Sequence, residues 1–233
     1  AIDHRGVELE GLDAGGLGRS VTLCRELGVS VFAVVGKFST RNPAHENLMA
    51  DAVNTEGGAD FVTLGHRLSG LPGFPRRIAT AYYNSAVWRI YNDFADAVEA
   101  SIREYGLDCP VHVLKADGGT MPFELSREYP VESIKSGPAA SIMGIIALCD
   151  ITEDCAILDI GGTTTDIALF ASGEPVVQDK GIEVGSYPTL VPALKTISIG
   201  VGGDSRLHVS AGEVRVGPER EGPSRAQGGK TVT

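Results

Sequence analysis

Apolar and polar positions along the chain switch between a helical period and short β-rich runs, and this alternation predicts an α/β protein. Residues 14–27 form a helix with Leu17, Val21, Leu23 and Leu27 as core contacts and Gly28 as its stop. Residues 29–35 (VSVFAVV) read as a buried parallel strand. The loop that follows, 36–43, lies at a strand's C-terminal end, where α/β proteins commonly take ligands. Pro43 opens a helix that runs to about residue 54, at the first-turn position proline favours. Residues 61–64 (FVTL) form a second strand, and 66–75 a loop punctuated by glycine and proline. The longest periodic stretch is 76–105. There Val87, Tyr91, Phe94, Val98, Ile102 and Tyr105 recur at three- and four-residue intervals, which predicts one core-facing stripe. Tyr82, Tyr83 and Trp88 lie beside it and read as packing, and Gly106 ends the helix.

The second half is richer in turns. Residues 110–114 (PVHVL) form a strand leading to Lys115-Ala116-Asp117-Gly118-Gly119-Thr120, which is either a sharp turn or a loop that meets a ligand. A short helix closes at 126–130. Ser136-Gly137-Pro138-Ala139-Ala140 precedes an apolar stretch, 141–149. A helix beginning at Ser136 or Gly137 would aim its N–H groups at an anion, or is simply a well-packed helix start. Residues 156–170 (AILDIGGTTTDIALF) then read as strand, turn and strand, with both arms buried. Gly161 and Gly162 let the backbone turn its N–H groups toward one point, and Thr163, Thr164 and Thr165 add hydroxyls. Such a turn suits a phosphate, and Asp159 and Asp166 at its two ends suit a magnesium ion beside it. The competing reading is an ordinary glycine-rich hairpin with threonines on a solvated face. Ser172-Gly173 makes a further turn, so 156–184 reads as a β-meander. Residues 196–199 (TISI) form a strand that runs into Gly200-Val201-Gly202-Gly203-Asp204-Ser205, a loop able to press its backbone against a ligand. A hairpin with Gly212 in its turn spans 209–217, and the glycine-rich tail after Pro218 reads as surface loop.

Composition narrows the function classes. The 233 residues carry a net charge of -10, which argues against a nucleic-acid or anionic-membrane surface. A hydrophobic content of 42% with 21% charged residues is that of a globular chain able to bury a core. Cys24, Cys109, Cys149 and Cys155 form no CxxC pair and read as reduced, half-buried thiols of a cytoplasmic protein. No apolar run approaches the roughly 18 residues of a membrane helix. The first residue is alanine and the last stretch has no cap, so the chain is expected to be a segment of a longer polypeptide.

Three motifs in order carry a family resemblance: Ser136-Gly137-Pro138-Ala139-Ala140, then 158–168 (LDIGGTTTDIA), then 199–205 (IGVGGDS). With Asn42-Pro43-Ala44-His45-Glu46, and Gly217-Pro218 followed by Gly222-Pro223, the series resembles the hydantoinase/oxoprolinase family and its hydantoinase A-type subunits. That resemblance implies the actin, sugar-kinase and heat-shock ATPase superfamily, with RNase H-like mixed sheets flanked by helices and ATP held between two lobes. It implies an end of the first lobe plus a connecting long helix at 1–109, and a nucleotide-binding lobe at 110–233. It also implies that an opening segment with a first phosphate loop is missing. Asp117 stands where many family members carry asparagine.

On this resemblance the expected function is that of a segment of an ATP-dependent cyclic-amide hydrolase, which activates its substrate by phosphorylation before ring opening. ATP and Mg2+ are the implied cofactors. Gly161, Gly162, Thr163, Thr164 and Thr165 would hold phosphate, with Ser136 and Gly137 at the helix head. Asp159 and Asp166 would hold the metal and act in catalysis, and Gly200, Gly202, Gly203, Asp204 and Ser205 would meet the adenosine. Lys115 and His112 are candidate substrate-side residues. The implied partners are the nucleotide, a small cyclic amide and a B-type hydantoinase subunit in an oligomer. The alternatives are an ATP-driven reactivase or chaperone-like module, or a carboxylase subunit of the same fold.

Overall fold

A computed structural model describes residues 1–220 and Gly228. Of the expected surface tail, Glu219 and Arg220 belong to the last described strand rather than a loop, and the residues beyond, Gly222 and Pro223 among them, lie outside the described residues apart from Gly228. In chain order the elements are α1 (Ala14–Glu26), β1 (Val31–Val34), α2 (Ala44–Gly57), β2 (Phe61–Leu64), α3 (Gly65–Leu68), α4 (Phe74–Glu104), β3 (His112–Leu114), β4 (Thr120–Pro122) and α5 (Phe123–Glu128). A 3-10 turn (Pro130–Ser133) and α6 (Ser136–Leu148) follow. The remainder is strand: β5 (Cys155–Ile160), β6 (Thr165–Ala171), β7 (Glu174–Pro175), β8 (Val177–Gln178), β9 (Glu183–Val184), β10 (Tyr187–Pro188), β11 (Ala193–Leu194), β12 (Thr196–Ile199), β13 (Ser205–Ser210) and β14 (Glu213–Arg220). The α/β class read from the pattern is therefore what the chain adopts.

Two compact units result, and neither is continuous in sequence. The first comprises Ala1–Lys115, Gly119–Ile134 and Asp179–Pro192; the second comprises Ala116–Gly118, Lys135–Gln178 and Ala193–Thr233. The reason for the discontinuity is α4, which gathers later segments onto itself. Tyr83 donates its hydroxyl to Val184 O at 2.7 Å, Arg76 donates to Lys180 O and Thr189 O, and Leu190 N donates to Thr80 Oγ1 at 2.8 Å. Asn84 donates to Glu128 O and accepts from Val131 N.

In the first unit β1 and β2 pair in parallel, Val31 opposite Phe61 through Val34 opposite Leu64. A carboxylate knots the loops that leave these strands. Glu46, 1% exposed on the first turn of α2, accepts from Gly36 N at 2.6 Å, from His66 N at 2.9 Å and from His66 Nδ1 at 2.6 Å. The Arg77 guanidinium, equally buried, donates to the carbonyls of Gly36, Lys37 and Leu71. Burial holds the Arg77 pKa below its ordinary value, and the charge of Glu46 offsets this only in part.

Here α4 departs from its expected stripe. Its buried residues are Arg77, Thr80, Ala81, Asn84 and Ala95, whereas Phe94 and Tyr105 are exposed. The face turned inward meets strand ends, loop carbonyls and the 3-10 turn, groups that need hydrogen-bond partners, so polar side chains sit there. Likewise Val21 of α1 is buried but Leu23 and Leu27 are exposed, because α1 packs through one narrow strip on α2. Pro43 stands at the N-cap, one residue before the helix it was expected to open. Residues 66–68 of the expected loop belong, with Gly65, to the single turn α3. The Asp117-Gly118-Gly119 loop proves to be the turn of the β3–β4 hairpin, with Lys115 N donating to Gly119 O and Gly118 at φ 87°. Cys109, Cys149 and Cys155 are exposed rather than half-buried.

In the second unit β6 is the central strand. β5 pairs along one edge, Asp159 opposite Asp166; β12 takes the first half of the other edge and β7 the remainder. The meander is real through β7, after which β8 pairs β11; β9 pairs β10 within the first unit. The two-residue turns Ser172-Gly173 and Ala211-Gly212 have positive φ at both positions, matching the twist of hairpin strands. α6 lies on β5, on the sheet face where Ala168 and Phe170 are buried. The arms of the central turn are therefore not buried on both faces. Leu158 and Ile160 are 59% and 69% exposed, and Leu169, Ile197 and Ile199 are exposed with them.

Candidate functional site

The predicted strand–turn–strand is present. Gly161 N donates to Thr164 O at 2.9 Å and closes the turn between β5 and β6. Among the described residues the N–H groups of Gly162, Thr163 and Thr164 have no acceptor, and Gly161, Gly162 and Thr164 are exposed. A turn with several unpaired, accessible amides can receive an anion.

The loop 200–204 is fastened to this turn. Gly203 N donates to Gly161 O at 2.9 Å, and Asp204 N donates to Gly162 O at 2.7 Å. Thr165 donates its hydroxyl to Val201 O at 2.7 Å, so that hydroxyl proton serves the junction rather than the open side of the turn. Ser205 accepts from Gly202 N at 2.9 Å and is buried, bracing the loop from within. The contact requires glycine at 202, because a Cβ there would lie 2.7 Å from Gly161 O and from Gly162 C. Two motifs far apart in sequence thus form one structure. The Asp204 carboxylate lies against Gly162.

Asp159 and Asp166 face each other across the ladder, on the side of the sheet that α6 covers. Ser198 on β12 is the register partner of Asp166, so Asp159, Asp166 and Ser198 form a row across three strands. Ser198 donates its hydroxyl to Asp166 Oδ1, and Ser141 on α6 donates to Asp159 Oδ2 at 2.5 Å. Like charges placed directly opposite on a sheet repel, and the two hydroxyls offset part of that repulsion. No group of three His, Cys, Asp or Glu able to share a cation occurs among the described residues, so Asp204 does not join this pair in one cluster.

Ser136 and Gly137 begin α6 as expected, after Lys135 in the left-handed region at φ 65°. Among the described residues no hydrogen bond ties either of them to the turn, and α6 reaches the carboxylates one turn further on, through Ser141. His112 and Lys115 belong to the first unit, where Lys115 pairs with Glu132 at 3.3 Å. Sequence reading did not single out Ser141 or Ser198. The alternation in TISI marks Ser198 as sharing a face with Thr196, but nothing local ties it to Asp166.

The hydantoinase/oxoprolinase family profile matches residues 77–233. The caprolactamase alpha subunit of Pseudomonas jessenii is 27% identical over 225 residues, covering 93% of this chain and 32% of that protein. The 5-oxoprolinase 1 of Arabidopsis thaliana is 26% identical over 199 residues, covering 84% of this chain and 15% of that protein. Among solved structures, the ATP-dependent caprolactamase from Pseudomonas jessenii superposes with a TM-score of 0.74 at 26% identity, covering 95% of this chain and 32% of that one. Nucleotide-free acetone carboxylase gives a TM-score of 0.77 at 19% identity over 94% of this chain and 32% of that one, a likeness of fold. The chain spans about a third of the length of the first curated relatives it matches. Since the family profile covers well over half of the residues, including both glycine loops and the carboxylate pair, the chain belongs to the hydantoinase/oxoprolinase family.

Proposed function

We propose that the chain is the nucleotide-handling segment of an ATP-dependent enzyme that opens cyclic amides, and that its second unit is an RNase H-like half of an ATPase cleft. The observation that carries this reading is the junction of the two glycine loops, Gly203 N to Gly161 O and Asp204 N to Gly162 O, beside the Asp159–Asp166 pair. The unpaired amides of Gly162, Thr163 and Thr164 would bind phosphate, with Gly161 shaping the turn and Thr163 and Thr164 offering hydroxyls. Gly200, Gly202, Gly203 and Asp204 would approach the adenosine, held in shape by Ser205 and Thr165. Ser136 and Gly137 would direct the positive end of α6 toward the phosphates.

Mg2+ fits the donor set. It is usually held by one or two carboxylates together with substrate phosphates, which is what Asp159 and Asp166 could complete. The ion would neutralise charge on the transferring phosphoryl group. Amides are poor electrophiles. Transfer of the γ-phosphoryl group to the amide oxygen would release ADP and open the carbon to attack by water; the ring C–N bond would then break with the nitrogen leaving as an amine, and a second water would hydrolyse the resulting acyl phosphate to carboxylate and inorganic phosphate. Such a reaction asks the protein chiefly for positioning and charge neutralisation.

Support for ATP comes from the ATP-dependent relatives, and support for a partner subunit from the fact that relatives include a caprolactamase alpha subunit and carboxylase subunits. A carboxylase subunit is the second reading, favoured by 29% identity over 133 residues to the acetone carboxylase beta subunit of Xanthobacter autotrophicus. Titration calorimetry of ATP with Mg2+ tests the shared core of both readings. Saturable binding that Gly162→Val abolishes is expected; a folded chain that takes up no nucleotide overturns them.

A further inference from the structure

We infer that Ser141 and Ser198 are positioning residues that set the divalent-cation affinity of the Asp159–Asp166 pair. The inference rests on the reading of those two aspartates as the cation's protein ligands. Each serine occupies one oxygen of its carboxylate: Ser141 takes Oδ2 of Asp159 at 2.5 Å, and Ser198 takes Oδ1 of Asp166. Among the described residues, Oδ1 of Asp159 and Oδ2 of Asp166 accept no hydrogen bond from the protein. The serines come from different elements, one from the helix above the sheet and one from the strand beside β6. Both carboxylates are therefore braced from outside the turn, and nucleotide reaching the turn finds two rotamers already chosen.

The physical reason for such bracing is the cost of the pair itself. Two anions in register repel, and without a partner each would rotate its carboxylate toward water. A hydroxyl bond stabilises the inward rotamer and leaves the other oxygen open. Partners of this kind, placed behind metal-ligating groups, typically change metal affinity by roughly 10–100-fold.

The experiment measures Mn2+ binding by the loss of its free-ion paramagnetic resonance signal, with ADP present at saturation, for the parent chain and for Ser141→Ala, Ser198→Ala, Ser141→Thr, Ser198→Thr, Asp159→Asn and Asp166→Asn. A fluorescent adenine nucleotide titrated in EDTA reads metal-free binding in parallel. Ser198→Ala is expected to weaken Mn2+ by about tenfold, with Ser198→Thr restoring it to within about twofold of the parent and metal-free nucleotide affinity unchanged. Ser141→Ala is expected to do the same; should that variant not fold, Ser198→Ala on the exposed strand carries the test alone. A structural effect alone would lower thermal stability without this selective loss. Alanine variants that hold Mn2+ as the parent does, while Asp159→Asn and Asp166→Asn lose it, overturn the positioning role and leave the metal reading standing. Asparagine variants that also bind normally, or a parent chain that binds no Mn2+, overturn the metal reading and the inference with it.

Discussion

Gly202 approaches Gly161 so closely that a single added carbon on Gly202 would stand 2.7 Å from the Gly161 carbonyl oxygen. Gly200, on the same loop, has open space around it. Gly202→Ala is therefore expected to lose roughly 1–3 kcal/mol, the usual cost of forcing an extra group into a packed contact. Gly200→Ala should stay within about 0.5 kcal/mol of the parent. Urea denaturation checks the pair. Titration with Mg·ATP should show affinity falling in the first variant.

Glu46 has three donors on its two oxygens and lies near the buried Arg77. Removing the carboxylate leaves these buried donors without an acceptor, at a typical cost of roughly 1–3 kcal/mol. Glu46→Ala is expected to fall in that range by urea denaturation. Glu46→Gln, which keeps the shape and one acceptor oxygen, should lose clearly less.

Asp60 accepts from the Ser30 hydroxyl at 2.8 Å and from Arg89 at 2.6 Å, and these bonds hold its carboxyl below the ordinary carboxylate range. A carboxyl whose pKa is lowered by folding stabilises the folded state above its unfolded pKa. That contribution is lost as the pH falls through the folded value. Asp60→Asn should thus be less stable than the parent at neutral pH, with the difference closing on acidification below the carboxylate range. Denaturant melts at neutral and acid pH compare the two.

Leu158 and Ile160 expose their side chains on the sheet face opposite α6. Replacing both with threonine, which suits a strand, should change stability by no more than about 0.5 kcal/mol per site. The same change should reduce binding of an apolar fluorescent dye. A large loss of stability would mean that this face is covered in solution.

Much of the local structure was legible in the sequence. β2 begins and ends where the apolar run FVTL does, α6 starts at Ser136, and the turns at Ser172-Gly173 and Ala211-Gly212 adopt the positive φ that glycine-containing two-residue turns require. The same holds for the turn between Asp159 and Asp166, whose glycines and threonines specify a tight bend with its amides available. Period, capping and turn chemistry act over a few residues, so a few residues suffice to read them.

The tertiary structure alone decided what depends on distant partners. The stripe from Val87 to Tyr105 satisfies the helical period, yet Phe94 and Tyr105 face outward. Arg77, Thr80 and Asn84 are buried because carbonyls and amides from segments before and after α4 converge on that part of it and need partners. Both arms of the central turn are apolar, but α6 covers one face of the sheet, so Ala168 and Phe170 are buried while Leu158 and Ile160 are not. The candidate site divides in the same way. Its glycine loops and its two aspartates are local motifs of the sequence. Their junction through Gly203 and Asp204, and the hydroxyls that Ser141 and Ser198 supply from 18 and 32 residues away, exist only once strand register and helix placement bring those atoms within hydrogen-bonding distance.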